Sequence, residues 1–101
     1  MHATVDANSL AKALKQLQPR AKFKSMQEQF VTATAGGSSI VFVGSLDSSA
    51  SVDAVVNQSG SAEIPLDAAI RLLKTYGKSD RVVLRSEVGA TFLDKVRFSI
   101  G

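Results

Sequence analysis

The strongest constraint on the fold is a two-residue alternation of apolar and more polar side chains in the middle of the chain. Two β-rich runs, residues 30–35 and 38–43, are separated by Gly36 and Gly37. A glycine pair permits the positive φ angles of a tight hairpin. A third run, residues 51–57, has Val, Ala and Val at every second position. This alternation predicts an antiparallel sheet with one buried face.

Two stretches with a period of about 3.6 residues predict amphipathic helices on either side of this meander. Asp6 or Asn8 offers an N-cap oxygen for the first helix, which begins near Ser9, and Pro19 ends it. Pro65 opens the second helix, at a position where its missing amide costs little. The predicted inward positions are Leu10, Ala11, Ala13, Leu14 and Leu17 in the first helix and Leu66, Ala69, Ile70 and Leu73 in the second, with Tyr76 as a further candidate.

A strand before the first helix and two after the second complete the predicted order β-α-β-β-β-α-β-β, with the last strand open to a split at Asp94 and Lys95. Residues 58–62 have the composition of a turn. The whole chain, residues 1–101, is of the length of one domain. We therefore predict a single α+β domain in which two helices pack on one face of an antiparallel sheet.

The charge of the chain changes sign from segment to segment. Residues 7–27 carry five basic groups and no acid, residues 28–70 carry five acids and no basic group, and residues 71–101 carry seven basic groups and three acids. Basic side chains on the outward helix sides can contact phosphates, or they can form solvated faces that keep a domain in solution. The candidate DNA-contacting residues are Lys12, Lys15, Arg71 and Lys74 on the helices, with Arg20, Lys22, Lys24 and Lys78 beside them.

The composition argues against several other classes of site. Cysteine is absent, the one histidine is at position 2, and the nine carboxylates are dispersed, so neither a metal site nor a cofactor is expected. The serine-rich segment at residues 44–51 has no histidine near it to act as a base, so we expect no enzymatic activity. No apolar run approaches about 20 residues and no leader is visible, which predicts a cytoplasmic protein without membrane contact.

Three stretches carry a family pattern: ATVDANSLAKALKQL, FVTATAGGSSIVFVGSLDSSASVDAVV and GSAEIPLDAAIRLLKTYGKSDRVVLRS. Together they resemble one domain of the DNA sliding clamps, the processivity factors of replicative polymerases. The bacterial form is the more similar, because its domains have a loop acid where this chain has Asp47 and a proline where it has Pro65. The resemblance spans nearly the whole chain and depends on apolar positions and turns.

In that family the two helices of each domain line a central hole with Lys and Arg, and the sheets form the outside of a ring of six domains. The resemblance implies that Lys12, Lys15, Arg71 and Lys74 face the backbone of double-stranded DNA, without base specificity. It also implies self-association, because one domain cannot encircle DNA, and a DNA polymerase as partner. The alternative is a small homodimeric α+β module that binds a protein or a ligand and has no nucleic-acid role.

Overall fold

The computed structural model describes residues 1–17, 30–44, 48–77, 79–87 and 90–98. Helices and antiparallel strands both occur within these ranges, which confirms the α+β class. The elements are β1 (His2–Asp6), α1 (Ala7–Gln16), β2 (Phe30–Gly36), β3 (Ser39–Val43), β4 (Ser49–Gln58), β5 (Gly60–Pro65), α2 (Leu66–Leu73), β6 (Arg81–Glu87), β7 (Ala90–Leu93) and β8 (Val96–Phe98).

The strands form one sheet in the order β5-β2-β3-β4-β1-β6-β7-β8. The long strand β4 joins the two halves, since it pairs with β3 along its first part and with β1 along its second. The sheet curls enough for β5 to approach β7, where the Thr91 hydroxyl donates a hydrogen bond of 3.0 Å to the Glu63 carbonyl. The curled sheet therefore encloses a core on its concave side.

The hairpin between β2 and β3 has a two-residue loop, shifted by one position from the predicted glycine pair. Gly36 still pairs with Ser39 in the ladder, so Gly37 and Ser38 form the loop. Gly37 has a φ of 62°, a conformation that glycine adopts without a Cβ penalty. The glycine pair predicted a hairpin, but it did not determine which two residues would form the loop.

The core is built by the predicted alternation. In β2 the buried residues are Val31, Ala33 and Ala35, and in β3 they are Ile40 and Phe42. These side chains belong to one buried cluster together with the inward positions of both helices. All the predicted inward helix positions are buried except Ala11 and the further candidate Tyr76, which are partly buried against the cluster.

The predicted element order is wrong at one place. The segment predicted as a turn at residues 58–62 lies largely in β5, which pairs with β2 from Gly60 to Pro65. Beyond α2 the structure has three strands, because the split at Asp94 and Lys95, which the prediction left open, separates β7 from β8. Helix α1 contacts β1, β4 and α2, and α2 also contacts β5. Neither helix of the described ranges has the length and apolar character needed to cross a membrane.

Candidate nucleic-acid interface

Helix α1 is held at its start by Asp6. The Asp6 carboxylate accepts hydrogen bonds from the Ser9 backbone N–H at 2.9 Å and from the Ser9 hydroxyl at 3.0 Å, as an N-cap residue does. The backbone bond, followed by the hydroxyl bond, lowers the pKa of Asp6 below its usual value. The helix buries Leu10 and Leu14 and leaves Lys12 and Lys15 exposed, as the helical period predicts.

Helix α2 presents its cations in its second half. Its N-cap, Pro65, has extended backbone geometry and provides no side-chain cap, while Asp67 in the first turn complements the helix dipole. Arg71 is exposed in the last turn. Lys74 is the exposed C-cap residue, and its backbone N–H donates to the Ile70 carbonyl at 3.2 Å. The positive charge therefore lies at the end of the helix that favours it.

A cleft between the two helices brings one cation from each helix together. Lys15 and Lys74 both line this cleft, which we call the lysine cleft, together with the partly buried side chain of Asn8. Ala7, Ala11, Leu73, Tyr76 and Gly77 complete its lining. Its volume of about 160 Å³ is that of roughly five water molecules, and a phosphate group also has about five heavy atoms. The lysine cleft is therefore large enough to admit a phosphate group.

The four helix cations are exposed in the part of the chain that the structure describes. Among the residues that the structure describes, no carboxylate forms an ion pair with Lys12, Lys15, Arg71 or Lys74. Lys12 lies three residues before Lys15, and Arg71 lies three residues before Lys74, so each pair shares one side of its helix. The exposed helix cations therefore extend from the lysine cleft along both helices.

Tyr76 links the lysine cleft to the hairpin between β7 and β8. Its hydroxyl donates a hydrogen bond of 2.5 Å to Asp94 Oδ2, while Asp94 Oδ1 accepts from the Val83 backbone N–H at 2.7 Å. Asp94 has a φ of 54°, which is uncommon for a residue other than glycine but is tolerated by aspartate. Both carboxylate oxygens are thus engaged, and they fix the tyrosine ring at the end of α2.

Because of the Tyr76–Asp94 hydrogen bond, we expect the folded protein to lose stability at alkaline pH. This bond raises the pKa of Tyr76 from 10.0 to about 12, with smaller contributions from burial and from the charges of Asp94 and Asp80. Because the folded protein holds the proton more tightly than the unfolded chain, the stabilisation is complete below pH 10.0 and is lost as the pH rises to about 12.

Urea unfolding of the wild type and of Tyr76→Phe across this range measures the effect. The stability advantage of the wild type over Tyr76→Phe should shrink as the pH rises, because the variant has no phenol to ionise. Stability curves that stay parallel up to about pH 12 would show that the hydrogen bond does not hold the proton.

Four of the eight predicted DNA-contacting residues lie in the part of the chain that the structure describes. Lys12, Lys15, Arg71 and Lys74 are exposed on the two helices, whereas Arg20, Lys22, Lys24 and Lys78 lie outside the described residues. Asn8 and Tyr76, which line the lysine cleft, were not predicted as site residues, and no sequence spacing marks them. No group of three or more potential metal ligands occurs in the described part of the chain.

Solved structures with the same fold were found, while no protein-family model and no curated protein sequence matches the chain. A structure described as Caulobacter crescentus pol III beta is 18% identical, with a TM-score of 0.70 over 98% of this chain and 29% of that one. The Helicobacter pylori beta clamp bound to a DNA ligase peptide is 15% identical, with a TM-score of 0.79 over 97% of this chain and 29% of that one.

A DnaN sliding clamp, the DNA polymerase III subunit beta of Bartonella birtlesii, was solved bound to griselimycin. It is 15% identical and gives a TM-score of 0.73 over 100% of this chain and 29% of that one. The chain thus spans 29% of the length of each of these three clamps. At such low identity the similarity establishes the fold, and the chain has the fold of one domain of a bacterial sliding clamp.

Proposed function

We propose that this chain is a non-enzymatic, sliding-clamp-like domain whose two helices, packed on one face of the sheet, contact the backbone of double-stranded DNA. The observation that carries the proposal is the lysine cleft, where Lys15 of α1 and Lys74 of α2 line the same space. Lys12 and Arg71 extend the contact along the two helices. The resemblance to the sliding clamps implies the same orientation, with helices toward the DNA and the sheet away from it.

The electrostatics fit contact with a phosphate backbone. Each lysine or arginine that meets a phosphate releases condensed counterions, which gives affinity that depends on salt and not on base sequence. The described part of residues 28–70 contains acids and no basic group, with Asp53 exposed on β4 and Glu63 exposed on β5. These carboxylates would repel DNA from the half of the sheet that contains β4 and β5 and so favour an approach from the helices.

The proposal includes self-association into an oligomeric ring. A chain that spans 29% of the length of a clamp chain is too small to surround DNA alone. Several copies arranged around the duplex would hold it by topological linkage, so that weak phosphate contacts are sufficient. A DNA polymerase is the expected partner of such an assembly, and Arg20, Lys22, Lys24 and Lys78 would add secondary phosphate contacts.

Lysine footprinting on the wild-type protein tests the proposed orientation. The reactivity of each lysine towards an acylating reagent is measured by mass spectrometry with and without duplex DNA. We expect Lys12, Lys15 and Lys74 to be protected and Lys95, on the hairpin between β7 and β8, to be unchanged. Protection of Lys95 with no change at the helix lysines would contradict the proposal.

The number of copies in solution distinguishes this proposal from the alternative, a homodimeric binding module without a nucleic-acid role. Light scattering gives the number of copies, and the same samples can be titrated with duplex DNA at low and high salt. A ring requires more than two copies of one domain. A stable dimer with no salt-dependent affinity for DNA would support the alternative.

A further inference from the structure

The outer face of β2 and β3 carries a group of exposed apolar side chains. Phe30 is 40% exposed, Val41 is 41% exposed and Val43 is 48% exposed. The strand register places Val41 beside Thr34 and Val43 beside Thr32, so four β-branched side chains form two neighbouring rows. We call these five residues the valine patch.

The valine patch faces away from the core. Ile40 and Phe42 are buried in the same cluster as the inward positions of both helices, and Val41 and Val43 alternate with them along β3. Alternate residues of a strand point to opposite faces of the sheet, so the patch lies on the side opposite the helices. Single exposed apolar side chains are ordinary, whereas a contiguous group of them is typical of an interaction surface.

The charged side chains on the strands of this half of the sheet are all acidic. Glu63 on β5 stands opposite Thr32, and Asp53 on β4 stands opposite Ser39. Both carboxylates are exposed, and neither forms an ion pair with a described residue, although Arg81 borders the same groove as Asp53. Strands β2, β3, β4 and β5 contain no basic residue. The complementary surface is therefore apolar in the middle and positively charged at its ends.

The patch offers side chains and no free strand edge. Strand β2 lies between β5 and β3, and β3 lies between β2 and β4, so a partner has to pack on the face of the sheet. A helix with one apolar side is an element that covers a sheet face. Glu63 and Asp53 are three strands apart and offset by the length of β3 from Val43 to Ser39, which corresponds to roughly 20 Å. A helix of about 13 residues has this length.

We propose that the valine patch binds an amphipathic helix of another protein, with an apolar stripe in its middle and basic residues at both ends. The stripe covers Val41 and Val43, and the basic residues meet Glu63 and Asp53. Burial of the stripe supplies affinity, and the two charged ends fix the orientation of the helix on the sheet. Because the patch lies opposite the helix cations, the proposal does not depend on DNA binding.

Other occupants fit the valine patch less well. Pairing of two copies about a two-fold axis would set the patch against itself and bring acids against acids. The helix face of a second copy offers cations, but none of the large apolar side chains exposed in the described chain lies on a helix. Nucleic acids and anionic membranes carry the same sign of charge as Glu63 and Asp53.

Titration with three helical peptides tests the proposal. The probe has about 16 residues, with leucines at positions i, i+3, i+4 and i+7 in its middle and lysines in its first and last turns. The charge control has glutamate in place of lysine, and the stripe control has the same composition with the leucines spread around the helix. Calorimetry should show binding of the probe and binding about tenfold weaker or less for each control. Equal binding of all three peptides would overturn the proposal.

Variants with apolar side chains removed locate the binding. Val41→Ser with Val43→Ser should lower the affinity for the probe by about tenfold or more, because the apolar centre of the patch is lost. Val55→Ser is the control, since Val55 is 58% exposed but lies where β4 pairs with β1. It should bind the probe like the wild type.

Variants with altered charge test the two ends of the patch. Asp53→Asn with Glu63→Gln should lower the affinity for the probe by about fivefold and make it less sensitive to salt, because two attractions are lost. Asn57→Lys with Gln58→Lys raises the net charge by the same amount at the far end of β4, so it should bind more tightly than the first variant. Lys15→Glu with Lys74→Glu should bind like the wild type, which keeps this result separate from the proposed DNA contact.

Thermal unfolding verifies that each variant is folded, and Asp53→Asn with Glu63→Gln suffices if the serine variant does not fold. Unchanged affinity in the folded patch variants, or an equal loss in Val55→Ser, would overturn the proposal. A second copy is the occupant instead if light scattering shows a wild-type oligomer that Val41→Ser with Val43→Ser dissociates and that the probe does not displace. That result would also overturn it.

Discussion

Replacing Phe42 by alanine is expected to lower the free energy of unfolding by about 3–5 kcal/mol. Phe42 has no exposed surface, and it is the largest of the fully buried side chains. Its cross-strand partners are Ala33 and Ala50, which are too small to fill the space that the ring would leave. A domain of this size has a total stability of roughly 5–15 kcal/mol, so the variant should lose a large share of its stability.

Val43→Ala is the matched control, because Val43 is the next residue of the same strand and is 48% exposed. This change should alter the free energy of unfolding by less than about 0.5 kcal/mol. Urea unfolding monitored by circular dichroism measures both variants against the wild type. Similar losses in the two variants would mean that β3 does not have the register that buries Phe42 and exposes Val43.

Much of the fold was predictable because its main elements are specified locally. The alternation in β2, β3 and β4 fixes which side chains are buried, whatever the sheet order. Pro65 marked the start of α2 to within one residue, since it is the N-cap. Strand β5 was missed because glycine and serine favour a turn and alanine has a low strand preference in isolation. Its strand geometry comes from the pairing with β2, a tertiary effect that overrides local preference.

The candidate site was predictable in part, because the exposure of its cations is also specified locally. Helical period alone places Lys12, Lys15, Arg71 and Lys74 on exposed faces. The meeting of Lys15 with Lys74 depends on the contact between α1 and α2, for which the sequence offers no signal. The same is true of Tyr76 and Asp94, which are 18 residues apart and meet through the β7–β8 hairpin.

Reversing the charge of the lysine cleft should strongly weaken binding to duplex DNA. If Lys15 and Lys74 each meet a phosphate, Lys15→Glu with Lys74→Glu removes two phosphate contacts from each copy. The logarithm of the affinity should then depend less steeply on the logarithm of the salt concentration, by about two units per copy, and the affinity at low salt should fall by tenfold or more as an order of magnitude. The loss should be the same for unrelated DNA sequences, because no base is read.

The control is Lys95→Glu with Arg97→Glu, which changes the net charge of the chain by the same amount on the β7–β8 hairpin. A difference between the two variants therefore reports position and not total charge.

The most direct measurement of the central claim is the duplex affinity of the wild type and of these two variants, by fluorescence anisotropy over a series of salt concentrations. We expect a shallower salt dependence and weak binding for the lysine-cleft variant, with the hairpin variant close to the wild type. Equal losses in both variants, or a loss confined to the hairpin variant, would contradict a DNA-contacting face built by the two helices.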